Sequence, residues 1–555
     1  MTTVNERPKL AGADQRLLKG YGPLLGLVLA LLLVAFLVPT VQPEKETVAS
    51  GTSAGAAAAG ASEGAAAAGS GAAQAGAGGA TLAASAAARG APSHAEYCPG
   101  KQVPTDPYSP PCIKWSGDNG GATSPGVTAT SIDVGIRRLK IPNIAKLANQ
   151  LTGGKIQINE TQADVERTYR VLAEYFNRHF QFYGRKLNIK IFDGDGDLLK
   201  EALGGGKDLA TSDATKASKE VKIFADAFAL TEPYSDALTK QKPPVIALNS
   251  LYFSREWFQA HSPFAFSVVP DCTKVTIATS DFVLKQLRGK NAEYAGGEQK
   301  GKPRKFALLA PDNPIYQDCA KVGVRQMRAA GLDVVEKPYP LDLNFITGTG
   351  PGDLVAFMKS AGVTSIILAT DPVLPLLMGD KAQSQKYYPE WVLTGAGLTD
   401  TDYVGQLMTP DEWKHAFGVS YLAKQQPNRA SDAYRAYKDV DPGNTMAELT
   451  GQILFYTLEH LAIGIQMAGP HLTPQTFLDG YQRYPGGFGQ AGAWRFTAEN
   501  PWTPNVDGRV VWWDPTGISS YNDQPGTYAD NGQRYPLGGL PSGGPPLVYL
   551  KGPPA

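Results

Sequence analysis

Four cysteines, six histidines and one run of alternating aspartates are the residues of this 555-residue chain that could do chemistry. Cys319 stands in "LLAPDNPIYQDCAK" (308–321), which reads as the end of an apolar strand, a polar turn and the opening of a helix. Open α/β sheets hold their ligands at such turns, and a thiol at a helix start could be a reactive nucleophile. Cys272, however, follows another strand in a similar way, and an even cysteine count in an exported chain points to disulfides. Of the three pairings possible, local spacing favours Cys98 with Cys112, leaving Cys272 with Cys319. The run "DGDGD" (193–197) offers three carboxylates at alternate positions, as a calcium loop does. Leu198 stands where that loop needs glycine, and Gly204 where it needs a bidentate glutamate, so a solvated turn is the better reading.

The histidines, at 94, 179, 261, 415, 460 and 471, show no metal-ligand spacing and none pairs with cysteine at a zinc interval. No G-x-G-x-x-G or G-x-S-x-G pattern occurs, and "LGGGKD" lacks both the loop and the hydroxyl residue of a phosphate-binding turn. These residues define no catalytic set, no metal site and no cofactor.

Lysine plus arginine equals aspartate plus glutamate, 52 against 52, so no global field draws the chain to nucleic acid or acidic lipid. Residues 21–40, with an unbroken apolar run at 24–38 after a basic flank, are expected to act as a single-pass anchor or as a signal peptide, with residues 1–20 in the cytoplasm and the rest outside. The segment 41–96 follows as a disordered linker, dominated between 48 and 91 by alanine, glycine and serine. A Pro-rich segment, 97–126, carries the first cysteine pair.

The elements that must position any site begin near Val127. "SIDVGIRRL" reads as a strand, Thr161 and Asp164 as a helix cap, and Val165, Tyr169, Leu172, Phe176 and Phe180 as one helical face. Further strands are expected at "RKLNIKIF", "EVKIFADAFAL", "PPVIAL" and "FAFSVVP". A second series runs from "RKFALLA" through "LDVVEKPY", "SIILAT" and "EWVLTGA", with helices between. This alternation predicts α/β architecture with mostly parallel sheets in two lobes. The apolar stretch 447–469 predicts a buried helix, because Glu459 and His460 would be costly in lipid. The tail from Tyr521, rich in glycine, proline and tyrosine, is expected to wrap the surface.

The phrases "ATSIDVGIRRL", "FNRHFQFYGRKLNIKIFDGDGD", "PPVIALNS", "PFAFSVVPDCTKVTIATSDFVLKQL", "KFALLAPDNPIYQDCAKVGVRQMRAAGLDVV" and "FMKSAGVTSIILATDPVLPLLM" occur in this order. Over 127–513 the chain resembles the type I periplasmic binding proteins, in particular the leucine/isoleucine/valine-binding branch that serves ABC importers. The resemblance implies two doubly wound Rossmann-like lobes joined by a hinge of three crossings. Lobe one would be 127–270 with 430–490, and lobe two 271–425 with 491–550. It implies a binding protein rather than an enzyme, with a small-molecule ligand in the cleft and an ABC permease as partner. The loops matching the family's pocket offer Leu230, Thr231 and Glu232, then Asn249 and Ser250, from lobe one. Lobe two offers Asp371, Gly395, Ala396 and Gly397. Amino-acid-binding members carry a glutamate for the ligand's ammonium where this chain has Ala396. Either Asp371 or Asp400 replaces it or the ligand is not an α-amino acid. A sensor that reports its ligand to a membrane partner and an α/β enzyme are the rival readings.

Overall fold

A computed structural model describes residues 95–140 and 160–552, apart from 203, 250, 252, 343, 344, 347, 372 and 449. The expected cytoplasmic segment, the apolar stretch 21–40 and all but the last two residues of the linker lie outside the described residues. Among the described residues no helix is long and apolar enough to cross a membrane.

Local signals set the elements. Thr161 and Asp164 close the reciprocal cap of helix α1 (Gln162–His179), each side chain accepting the other's backbone N–H. Tyr169, Leu172, Ala173 and Phe176 bury along its inner stripe. Before it, strands β1 (Ala95–Lys101) and β2 (Pro111–Trp115) form a hairpin stapled by Cys98–Cys112. The hairpin loop folds Val103 and Tyr108 into the first core.

The sheet of lobe one is parallel, in the order β4–β3–β5–β6, from β3 (Ser131–Lys140), β4 (Lys186–Asp197), β5 (Ala225–Asp226) and β6 (Ile246–Ala247). Helices α2 (Leu198–Ala202), α3 (Lys207–Lys216) and α4 (Glu232–Thr239) follow its strands. The strand expected at "EVKIFADAFAL" is only two residues long, because α3 runs on through a π turn to Val221. "FAFSVVP" contributes only the bridge of Ala265 to Ala247.

Lobe two begins with α5 (Cys272–Phe282) and winds β7 (Phe306–Pro311), α6 (Pro314–Ala329), β8 (Val334–Tyr339), α7 (Gly350–Ser360), β9 (Ser365–Leu368), α8 (Val373–Ser384), β10 (Glu390–Leu393) and β11 (Ala416–Ser420). These five strands are parallel in the order β8–β7–β9–β10–β11. The chain then returns to lobe one for α9 (Asp432–Val440), α10 (Gly451–Ala468), α11 (Pro474–Arg483) and the hairpin of β12 (Gly487–Gly489) with β13 (Gly492–Trp494). Helix α10, with Glu459 and His460 fully inside, is a core helix as expected.

Two features correct the sequence reading. The sheet of lobe two is mixed, because β14 (Asp507–Ile518) runs antiparallel to β11, and β15 (Pro525–Asp530) and β16 (Tyr535–Pro536) pair with β14. The tail therefore builds sheet and core instead of wrapping the surface. Tyr528 and Tyr549 are buried, and the Tyr549 hydroxyl donates to the carbonyls of Lys414 and Ala416. The chain passes between the two sets of core residues three times: between Val268 and Val275, Tyr421 and Ala433, and Trp502 and Val510. Trp494, Phe496 and Trp502 pack in the core of lobe one.

Candidate functional site

In lobe two β7 lies between β8 and β9, so the loops after β7 and β9 leave to opposite sides and open a crevice at the strand ends, the usual ligand position in such sheets. Two cavities meet there, of about 120 Å³ and about 80 Å³. They share Ala202 from lobe one and Tyr316 from lobe two as walls, which makes them one continuous cleft.

The larger part runs into lobe two between α5, α6 and the sheet. Val275, Leu308, Ala320, Met327 and Leu341 give it an apolar lining, and the Cys272–Cys319 disulfide forms part of its wall. That bridge joins the first residue of α5 to the second turn of α6, with Cα atoms 5.9 Å apart, and so holds the two walls together. Hydroxyls of Thr276, Thr279 and Ser280 on α5 and of Thr370 after β9 also line it. Those of Thr279 and Thr370 are buried without a hydrogen-bond partner.

The smaller part belongs mainly to lobe one. Leu230, Thr231 and Glu232 line it with Glu201 and Phe253, facing Asn313 and Tyr316 of lobe two. A buried charge cluster fixes this rim. Arg137 donates to both oxygens of Glu201, at 2.9 and 2.7 Å, and to Asp213 at 3.0 Å, and its guanidinium lies 3.5 Å above the Tyr234 ring. Asp213 also accepts the N–H groups of Asp195 and Gly196, at 2.8 and 2.9 Å. This closes the "DGDGD" turn on protein groups. A Cβ at Gly196 would lie 2.2 Å from Glu201 Oε1, and one at Gly194 2.5 Å from Asp213 Oδ2. The glycines of that turn are there to admit the cluster. Among the described residues no group of three or more His, Cys, Asp or Glu could hold a metal ion.

The anticipated residues divide as follows. The Thr231 hydroxyl is committed to Glu201 Oε2, at 2.5 Å. Burial, aided by Asp236, pushes the Glu232 carboxyl upward from its ordinary pKa. Asp371 lines the lobe-two cavity, but its Oδ1 accepts the N–H groups of Val373 and Leu374 at 2.9 and 3.0 Å, capping α8, and its Oδ2 accepts the Tyr339 hydroxyl at 2.8 Å. Burial raises its pKa. Ala396 and Gly397 line the same cavity, while Gly395 does not. Gly397 has φ +62°, and a Cβ there would stand 2.4 Å from the Thr370 carbonyl, so glycine lets the loops after β9 and β10 touch. Asn249 is buried, with φ 65° and an unpartnered side-chain amide, and lines neither cavity. Ser250 lies outside the described residues. Cys319 is half of a bridge, not a free thiol. The sequence reading missed Glu201, Phe253 and the hydroxyl stripe of α5, although Thr276, Thr279 and Ser280 stand at the spacing of one helical face.

Two lobes crossed three times, with a cleft at the carboxyl ends of their strands, make a two-lobed clamshell. Residues 155–505 match the family of periplasmic binding proteins. The chain belongs to that family, in its type I, leucine/isoleucine/valine-binding form; the family is extracytoplasmic and binds its solutes without transforming them.

Among solved structures, the chain is similar to an ABC transporter substrate-binding protein of Aeropyrum pernix, with 13% identity, TM-score 0.51, and coverage of 74% of this chain and 96% of that one. A fatty acid ABC transporter substrate-binding protein of Thermomonospora curvata gives 14% identity, TM-score 0.49, and coverage of 75% and 97%. The branched-chain amino acid transporter substrate-binding protein LivJ of Streptococcus pneumoniae, in complex with isoleucine, gives 12%, 0.47, and 72% and 99%. No curated protein matches the sequence.

Proposed function

We propose that this chain is the substrate-binding component of an ABC-type importer, tethered to the membrane by residues 24–38 and presenting its closed, loaded form to a permease. The family and the interlobe cleft support this reading. Closure on a solute follows if the closed form binds it better than the open one.

The observation that carries the ligand class is the charge of the cleft. Among its described lining residues there is no lysine or arginine, and the carboxylates of Glu201 and Asp371 are already engaged. A zwitterionic α-amino acid would find neither a cation for its carboxylate nor, with Ala396 in place of glutamate, a free anion beside the lobe-two pocket. The N-terminus of α4 has no side-chain cap and stands at the lobe-one rim beside Glu232. It suits a carbonyl oxygen, with Glu232 as acceptor for an N–H. The ligand is therefore a small amide-like solute whose apolar body enters the lobe-two pocket.

A thermal-shift panel of amino acids, short and aromatic amides, urea-like compounds and aromatic acids tests this. Amides with an apolar body should raise the melting temperature, by about 2.7 kcal/mol of stabilisation at a hundred times Kd. Ala320→Phe, which fills the pocket, should remove the shift. A panel without a stabilising amide, or a shift that survives Ala320→Phe, counts against the reading. Cell fractionation checks the tether: the full chain should pellet with membranes and a chain lacking 21–40 should not.

A further inference from the structure

The lobe-two part of the cleft is long and thin. Along α6 its wall is the stripe Tyr316, Ala320, Gly323 and Met327, one face of the helix. From 316 to 327, at 1.5 Å per residue, the stripe descends about 16 Å. Along α5 the wall runs from Cys272 to Ser280, about 12 Å. On β7 it reaches back to Leu308, about 10 Å from the strand end at Pro311. Three separate elements thus give similar depths, from a mouth at Tyr316 to a floor at Leu308 and Met327, which are 8% and 1% exposed in the core beneath.

Small side chains leave this space: Ala320 and Gly323 on α6, and Ala369 and Ala396 in the loops after β9 and β10. A Cβ at Gly323 would lie 3.2 Å from Thr276 Cγ2, so glycine brings α5 and α6 together and shuts the slot on that side. Thr276 donates its hydroxyl to the Cys319 carbonyl at 3.3 Å, which leaves its methyl against Gly323. Among the described lining residues the charged one is Asp371, at the strand-end mouth, and its oxygens are already engaged. The volume of about 120 Å³ compares with the ~150 Å³ of a compact cavity that takes up benzene, a six-carbon ring. Drawn out over about 12 Å, such a space has the shape of a chain and not of a ring.

We propose that the solute of the cleft carries an unbranched alkyl chain of about six carbons, seated in this slot with its polar head toward the lobe-one rim, and that Met327 sets the longest chain admitted. The proposal rests on the cleft being the ligand site, and it specifies the apolar body of that ligand. A ring or a branch partway down would have to part α5 from α6, which the Cys272–Cys319 bridge and the close approach at Gly323 hold together. Each methylene that enters leaves water for an apolar wall, so affinity grows with chain length until the chain meets the floor.

Straight-chain primary amides of three to nine carbons, and the alcohols of the same lengths, are the probes, titrated into the folded protein by isothermal calorimetry. Affinity should rise about fourfold per added CH₂, the burial of one methylene, and then level off or fall beyond about six or seven carbons, where the chain meets Met327. Heptanamide should bind about tenfold tighter than benzamide or cyclohexanecarboxamide, which have as many carbons but close them into a ring. Met327→Ala deepens the floor and should move the limit up by about two or three carbons. Ala320→Leu, one turn below the mouth, should lower it by about as much, and serves as the second variant if Met327→Ala does not fold. Rings bound as tightly as chains, affinity independent of chain length, a limit unmoved by either variant, or binding by neither series overturns the slot. A limit equally sharp in the alcohols keeps the slot and refutes the amide head, whereas amides bound without any limit do the reverse.

Discussion

Arg137→Leu tests what holds the lobe-one side of the cleft. Arg137, Glu201 and Asp213 are 6%, 1% and 2% exposed, so leucine would leave two carboxylates in the interior without their cation. Breaking a buried pair in this way costs about 3–5 kcal/mol, and losing the guanidinium above Tyr234 adds about 1 kcal/mol. For a lobe of roughly 200 residues, at about 2–4 °C per kcal/mol, the melting temperature should fall by about 8–24 °C. Adding Glu201→Gln should recover part of the loss, because it removes one of the two carboxylates left without their cation. Scanning calorimetry of the parent and both variants reads this. A deficit below about 1 kcal/mol, the range of a surface pair, would refute the reasoning.

Glu412 is fully buried in lobe two, with Trp391 Nε1 donating to its Oε2 at 3.3 Å, and burial pushes its pKa up to about 8. The folded state thus holds a proton that the unfolded chain releases near 4.5, so stability should fall as pH rises through that window, by about 1.4 kcal/mol per unit. Glu412→Gln should flatten the fall and melt above the parent at pH 8.5; parallel melting curves from pH 5 to 8.5 would contradict the assignment. Cys272→Ala with Cys319→Ala opens a bridge spanning 47 residues, worth about 4 kcal/mol by loop entropy. The double variant should melt correspondingly lower and respond less to any cleft ligand, while unchanged melting would show that the bridge is not structural. Mass spectrometry of the unreduced parent should find the 272–319 and 98–112 linkages.

Helix α1 and the lobe alternation are readable in sequence because each rests on signals a few residues apart, such as Thr161 with Asp164 and the Tyr169, Leu172, Phe176 stripe. The tail is not readable in that way. Its glycines and prolines suggest surface, and what buries it is a pair of tyrosines, Tyr528 and Tyr549, whose hydroxyls meet lobe-two groups more than 100 residues earlier in the chain. The rim of the cleft fails for the same reason. "DGDGD" gives no local hint of Arg137 or Asp213, and Thr231, a reasonable ligand group by position, is claimed by Glu201.

The lobe-two pocket is a different case, since the pairing of Cys272 with Cys319, drawn from spacing alone, already sets the start of α5 against α6. On those two helices Thr276, Thr279 and Ser280 face Ala320 and Gly323, and a Cβ added at Gly323 would come within 3.2 Å of Thr276. Small and hydroxyl residues on facing helices leave space beside the sheet that larger ones would fill. A disulfide fixes which helices face each other, and the side-chain sizes on those faces then decide whether the space between them is filled. The two together are enough to place a pocket next to the bridge, and the same combination in another α/β chain would argue for a cavity at the corresponding point.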